Sequence, residues 1–370
     1  MSHGEYSYQE IADEIGKSIR SGKYQPGARC PSLTQIMRRY AVSRVTASHA
    51  VDELKKRGLV SSRRGRGTFV SSAARRAIGI IVPGFNFVEI FPPICREFAR
   101  LAQQKDMMLL YGEIASTDPG KRAELAKQVA HKFVDERVSG IMFQPLEHIE
   151  NAERLNREIL AIFDAERIPV VLVDCDYVRY PESGDYDVVG IDNFKAGFRL
   201  ARHLTARGIR KLGFVFGPNS AVSVQDRFLG AQAAVANSAA SISALNLDPS
   251  DSAAVRRVIA KRFGAIICRN DHLAAHLLST LRTLGVRVPE DVLVAGFSDT
   301  PYAALLEPSL TTVRLPCEDI ARLAFALLCS RMENPSLLPR TCHVPGVLIE
   351  RKSSSCEGRS VKIKRRGKAK

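Results

Sequence analysis

Two hydrophobic rhythms divide the chain. Before Val70, Ala47, Ala50, Val51 and Leu54 recur at three- and four-residue steps, the stripe of a helix with one buried face, while Arg44, Val45 and Ser48 point elsewhere. From Ile78 the pattern becomes short continuous apolar runs: 78–82, 107–111, 140–143, 170–173, 188–191, 212–216, 265–268 and 292–295. These alternate with helical segments at 94–104, 122–135, 200–207 and 273–284, and Gly208 and Gly285 stand where helices should end. Near-continuous apolar strands bury both faces, so the sheets are expected to be parallel with helices on each side. About 270 residues of this α/β pattern make two doubly wound lobes more simply than one sheet.

The first 70 residues carry finer signals. Ser32 and Gln35 have the spacing of a capping box, and Ser43 can cap the helix that bears the apolar stripe. Gly58 follows Lys55, Lys56 and Arg57, the order of a helix C-terminus. Leu59–Ser62 and Thr68–Val70 read as two short strands joined by the cationic loop Arg63, Arg64, Gly65, Arg66 and Gly67, whose glycines let backbone approach a phosphate or a groove floor. Helix, turn, capped helix and basic hairpin in this order are those of a winged helix-turn-helix.

At these residues the chain resembles the GntR family of DNA-binding regulators. The run from Tyr8 to Val70 matches end to end: a first helix with Ile11, Ile15 and Ile19, the SGKYQPG connection, then PS, VSR, A-x-x-x-L, GLV and GRGTFV. The resemblance implies that Ser43, Arg44 and Thr46 enter the major groove and that Arg64, Gly65 and Arg66 form the wing contact. Leu33 and Thr34 stand where the family usually has Glu-Arg, and Ser48 where it usually has Arg; Arg38, Arg39 and His49 are the candidates for compensation.

Charge sharpens the division. The formal net charge is +15, but residues 1–76 hold +9 and residues 351–370 hold +8, leaving 77–350 at −2. Basicity is confined to the two ends, so the middle is no electrostatic partner for phosphate. The eight cysteines form no C-x-x-C pair, which points away from a zinc ribbon and towards reduced thiols in a cytoplasm. The polar N-terminus has no signal-peptide core, and no apolar run approaches the roughly 18 residues of a membrane span, so export and membrane insertion are not expected.

The segment from Ile78 to Arg351 resembles the effector domain of the LacI/GalR regulators, which has the fold of periplasmic sugar-binding proteins. The landmarks are VPGFNFVEIF, VSGIMFQP, IPVVLVD, VGIDNFKAGFRLARHLTARGIRKLGFV, RND, LGVRVPEDVLVAGFSD and PSLTTVRLP. The expected organisation is a winged helix at 1–70, a linker at 71–76, an effector and dimerisation domain at 77–351 and a basic disordered tail at 352–370. Lobe 1 would hold 77–191 and 317–334, lobe 2 would hold 194–313 and 341–350, with crossings near Asp192, Arg314–Pro316 and Asn334–Arg340. The chain looks shortened between Asn237 and Asp251, so lobe 2 is expected to lack an element.

A cleft between such lobes suits a small ligand. The resemblance maps ligand contacts onto Asp174, Arg227, Asn270 and Ser298, the last in place of a frequent Asp and followed by Asp299, with Phe85, Phe87 and Phe91 as ring platforms. The plainer alternatives are a strand-ending Asp174, an Asn270 or Asp271 that caps the next helix, and core phenylalanines. No catalytic motif follows a strand, Asp174 and Asp176 should face apart, and His272 and His276 lack a third metal ligand, so neither enzymatic chemistry nor a cofactor is expected. The reading is a homodimeric, cytoplasmic regulator that binds a palindromic operator in double-stranded DNA, a repressor of carbohydrate-utilisation genes released by a sugar. A nucleoside-type effector, a degenerate cleft or a sugar-modifying enzyme on the same fold are the alternatives. The tail could add sequence-independent DNA affinity.

Overall fold

The computed structural model describes residues 6–20, 23–25, 27–63, 66–71, 77–83, 90–116, 118–179, 181–216 and 220–355. The N-terminal unit consists of α1 (Tyr8–Arg20), α2 (Leu33–Tyr40), α3 (Arg44–Lys56), β1 (Val60–Arg63) and β2 (Gly67–Val70). Both arms of the capping box at Ser32 and Gln35 form, and the Ser43 side chain caps α3. Ala47, Ala50, Val51 and Leu54 are buried against Ile11, Ile15, Ile19 and Ile36, so the stripe is the core of a three-helix unit. β1 and β2 pair antiparallel from Val60 opposite Val70 to Arg63 opposite Gly67, making the wing.

Lobe 1 is a six-stranded sheet. Its strands are β3 (Ala77–Pro83), β4 (Met108–Ile114), β5 (Gly140–Phe143), β6 (Val170–Val173), β7 (Asp187–Gly190) and, far along the chain, β13 (Thr341–His343). They lie parallel in the order β13-β7-β6-β5-β3-β4. Helices α4 (Phe91–Gln104), α5 (Pro119–Asp135), α6 (Ala152–Ala165) and α11 (Cys317–Glu333) cover it. Every residue of β5, β6 and β7 is buried, which is why these strands read as unbroken apolar runs.

Lobe 2 repeats the scheme. Its strands β8 (Lys211–Phe216), β9 (Ser241–Asn246), β10 (Ala265–Cys268), β11 (Leu293–Ser298), β12 (Thr311–Arg314) and β14 (Val347–Ile349) are ordered β14-β12-β11-β10-β8-β9, with β14 alone antiparallel to its neighbour. Helices α7 (Asn193–Thr205), α8 (Val222–Val235), α9 (Ser252–Ala260) and α10 (Asp271–Thr283) flank it. The expected two-lobed α/β architecture of parallel sheets, with a winged helix in front, is the one observed.

Three expectations need correction. Lobe 2 lacks no strand: β9 occupies the segment that looks shortened, an edge strand with its serines outward and so without an apolar run. The third crossing lies at 344–346, because β13 pairs with β7 and stays with lobe 1. What holds it there is Asp187, fully buried, which accepts from Arg331 Nε at 2.7 Å and from the Arg340 backbone N–H at 2.9 Å. The ordered chain also runs past Arg351. Ser353 and Ser354 are fully buried, Ser353 Oγ donating to the Val294 carbonyl at 2.6 Å and accepting from the Thr311 N–H at 2.8 Å. Residues 72–76 of the expected linker and 356–370 of the expected tail lie outside the described residues.

One packing contact positions lobe 2's functional helix. A Cβ added at Gly197 of α7 would stand 1.8 Å from the carbonyl oxygen of Arg227 in α8, and one at Gly230 of α8 would stand 1.8 Å from that of Phe194 in α7. Only glycine at both positions lets the two backbones touch.

Candidate nucleic-acid interface and interlobe cleft

At the start of α3, Ser43 Oγ accepts the Thr46 N–H at 3.1 Å and lies 2.9 Å from Thr46 Oγ1. These two hydroxyls hold the helix end and each other. Arg44 is exposed and Val45 beside it is 64% exposed, so the first turn presents a cation and a branched apolar group together. That pair suits the acceptor edge of guanine and the methyl of thymine. Val45 was legible as off the core but not as a contact, since an apolar residue carries no polar signal.

Arg66 is exposed on the wing, and its carbonyl accepts from Arg29 Nη2 at 2.8 Å. Arg29, which also bridges to Phe69 in β2, braces the hairpin from outside the motif. Arg64 and Gly65 lie outside the described residues. Among the compensating candidates, Arg39 is engaged by Glu14 at 2.5 Å and stacks over Tyr40, and His49 meets Tyr8 edge to face, while Arg38 is exposed.

The cleft is built from the carboxyl ends of the strands. From lobe 1 come Gln144 and Glu147 after β5 and Asp174 and Cys175 after β6; from lobe 2 come Arg227 on α8, Asn193 at the start of α7, and Arg269 and Asn270 after β10. Arg227 is buried and clamped: its Nε donates to Asn193 Oδ1 at 2.8 Å, its Nη1 to the Arg269 carbonyl at 2.9 Å, and its guanidinium stacks 4.8 Å from the Phe297 ring centre. Asp174 is buried in a left-handed backbone conformation (φ +79°) with Oδ1 unpartnered among the described residues. Asp176 turns away, but not for the reason its spacing suggested, since positions i and i+2 of a strand share a face: the left-handed backbone at Asp174 breaks the alternation, and Asp176 accepts from the N–H groups of Tyr177 and Gly184 in its own loop.

The other mapped residues fare differently. Asn270 is half-buried and its Oδ1 accepts the Leu273 N–H at 3.0 Å, so it caps α10. Phe91 is fully buried in the lobe 1 core and shows no ring face to the cleft, which removes it as a platform; Phe85 and Phe87 lie outside the described residues. Ser298 (φ +120°) borders a cavity of about 370 Å³ between the lobes, with Ile90, Pro93, Asp299, Arg314 and Cys317 on its walls. Asp299 does not replace the missing acid at 298, because both its oxygens are taken, by Arg314 and Arg351, each at 2.6 Å. Glu147, Cys175, Asn193 and Arg269 went unread, although their places after strands or at the head of a helix were the available signal.

Burial governs the electrostatics here. Desolvation, with Asp174 adding repulsion, raises the Glu147 carboxyl to about 7. Desolvation also raises Asp174, against the pull of Arg227. Glu147, Asp174 and Cys175 bring three donor atoms within 4.8 Å of one another, a spacing that could hold a metal ion, but Arg227 already supplies positive charge to that corner. The same oxygens accept hydrogen bonds from hydroxyl groups, and the guanidinium donates to them, which is the chemistry a polyol requires.

A pH dependence follows. Glu147 would titrate near 4.5 in the unfolded chain, so its contribution to stability is complete below that pH and is lost as pH rises through about 7. Raising pH from 5 to 8 is expected to lower the stability of the wild type by about 2–3 kcal/mol more than that of Glu147→Gln. Parallel pH profiles of Tm for the two proteins would be the reverse result.

Comparison with known proteins follows this division. Residues 7–70 match the family described as bacterial regulatory proteins, gntR family, and residues 201–354 match the periplasmic binding protein-like domain. The arabinose metabolism transcriptional repressor of Geobacillus stearothermophilus is 27% identical over 348 residues, covering 89% of this chain and 92% of that protein. The transcription regulator GntR from Chromobacterium violaceum superposes with a TM-score of 0.61 at 24% identity, over 75% of this chain and 99% of that one. A periplasmic binding protein/LacI transcriptional regulator from Alkaliphilus metalliredigens QYMF, complexed with D-xylulofuranose, gives 0.61 at 21% identity, over 76% and 100%.

Proposed function

We propose that this chain, joining a GntR-family DNA-binding domain to a LacI/GalR-type, periplasmic-binding-protein-like effector domain, is a cytoplasmic homodimeric repressor of carbohydrate-use genes, released from its operator by a small polyhydroxylated effector. It is a ligand-responsive transcription regulator, not an enzyme. The observation that carries the reading is the pairing of an exposed Arg44 on a capped, groove-sized helix with a cleft whose walls hold buried polar atoms without partners among the described residues, Asp174 Oδ1 and Arg269 Nη1. Unsatisfied groups of that kind call for a polar guest.

In this mechanism Arg44 and Val45 read base edges while Arg66, with Arg64 and Gly65, approaches the backbone from the wing. The effector lies between Glu147 and Asp174 on one wall and Arg227 on the other, with Ser298 at the mouth. Binding would bias the hinge formed by the crossings at 191–192, 315–316 and 344–346, and with it the spacing of two DNA-binding domains. Support for lobe 1 as the dimer face comes from its edge strand β4, where Met108 and Tyr111 are 48% and 46% exposed. Among the described residues no helix is long and apolar enough to cross a membrane.

The test is selection of the full-length protein on a random duplex library, then release by a panel of pentoses and hexoses that includes arabinose and xylulose. Enrichment of a two-fold symmetric motif that survives heparin competition, together with release by one class of sugar, is the expected result. A protein that prefers no duplex over heparin would overturn the proposal.

A further inference from the structure

The lobe 2 wall of the cleft carries a second arginine whose environment is unlike that of the first. Arg269 leaves the end of β10, its carbonyl accepts from Arg227, and its own Nη1 is sealed from solvent with no hydrogen-bond partner among the described residues. Across the cleft its electrostatic neighbour is Glu147, yet neither Arg227 nor Arg269 makes an ion pair with Glu147 or Asp174 among the described residues. A guanidinium cannot shed its charge in a protein, whereas the facing carboxyls can take up protons. Arg269 therefore has no counter-anion in contact among the described residues, and its Nη1 and Asp174 Oδ1 both lack a hydrogen-bond partner there.

A neutral sugar would leave Arg269 without a counter-anion. From Arg269 and Arg227 side by side on one wall, and carboxyls that accept from hydroxyls on the other, we infer that the effector is an acidic polyol, a sugar carrying a carboxylate or a phosphate monoester, with Arg269 holding the anionic group. Arg227, fixed by Asn193 and the Phe297 ring, leaves Nη2 as its nitrogen without a protein hydrogen bond among the described residues and shares that group or an adjacent hydroxyl. The planar fork of a guanidinium matches either anion through two parallel hydrogen bonds. The inference rests on the reading of the cleft as the effector site.

The experiment is titration calorimetry on the full-length protein with matched sets: pentoses and hexoses, the aldonates and uronates derived from them, the corresponding sugar phosphates, and inorganic phosphate alone. At least one acidic sugar is expected to bind at least 30-fold more tightly than its neutral parent, and the aldonate, uronate and phosphate arms identify which anion is used. In Arg269→Gln that preference should fall below threefold, and in Arg269→Lys it should survive in part, since the charge remains and the fork is lost. The melting transition of each unliganded variant shows that it has folded. A neutral sugar that binds as tightly as its acid, or a preference untouched in Arg269→Gln, overturns the acidic-effector inference and leaves the cleft as an effector site. Inorganic phosphate matching the acidic sugars reduces the site to an adventitious anion hole and overturns it too. Binding by no member of the panel counts against the effector-site reading itself.

Discussion

Replacing Arg44 with alanine is expected to abolish recognition of the specific operator while leaving the protein folded and its effector response intact. Arg44 is exposed on the first turn of α3, and the core stripe of that helix, Ala47, Ala50, Val51 and Leu54, does not include it. Its loss therefore removes no packing. A bidentate arginine contact to guanine is worth about 1–3 kcal/mol, and a two-fold symmetric complex loses two, so affinity for the selected motif should fall by roughly a hundredfold or more. Binding to unrelated duplexes should persist, because the charge of the wing and of the helix ends is unchanged. Fluorescence anisotropy on matched and scrambled duplexes separates the two terms. If operator and effector binding vanish together, the variant has failed to fold; unchanged affinity for the matched duplex would show that Arg44 has no reading role.

Arg227→Met should yield a protein that stays on its operator whatever sugar is supplied. The substitution keeps much of the side chain's length, yet strips the donors from Asn193 Oδ1 and the Arg269 carbonyl and empties the face of the Phe297 ring. Buried acceptors left unpaired cost about 1–3 kcal/mol each, so a measurable fall in Tm accompanies the functional loss. Effector affinity is expected to drop by at least a hundredfold, as one wall of the cleft loses its fixed cation. Arg227 also lowers Glu147 and Asp174, so its removal should shift the alkaline loss of stability to higher pH. Calorimetry with the sugar that releases the wild type, and operator binding in its presence, decide the matter. Release as efficient as in the wild type would show that Arg227 does not contact the effector.

Much of the architecture was legible because burial on both faces prints directly as apolar runs. All eight such runs are strands of the two sheets. β9 escaped because an edge strand can be polar, and β13 because three residues held by a buried Asp187 leave no periodic trace. In the DNA-binding unit the caps and the stripe are local, so residue spacing alone predicts them. The cleft is different. Arg227 and Asp174 could be placed there by family resemblance, but Glu147 and Arg269 acquire their meaning only when strands far apart in sequence end at one boundary. Phe91 illustrates the opposite failure, an aromatic side chain that looks like a platform and turns inward.

The glycine contact between α7 and α8 sets a mechanical limit on lobe 2. With backbone against backbone at Gly197 and Gly230, no rotamer can slip and no side chain can act as a cushion, so the two helices move as one stiff plate. That plate begins immediately after the first interlobe crossing and carries Arg227, so any swing of the hinge arrives at the guanidinium undamped. Retuning this protein towards another effector should therefore succeed by exchanging residues at strand ends and fail wherever it disturbs that seam.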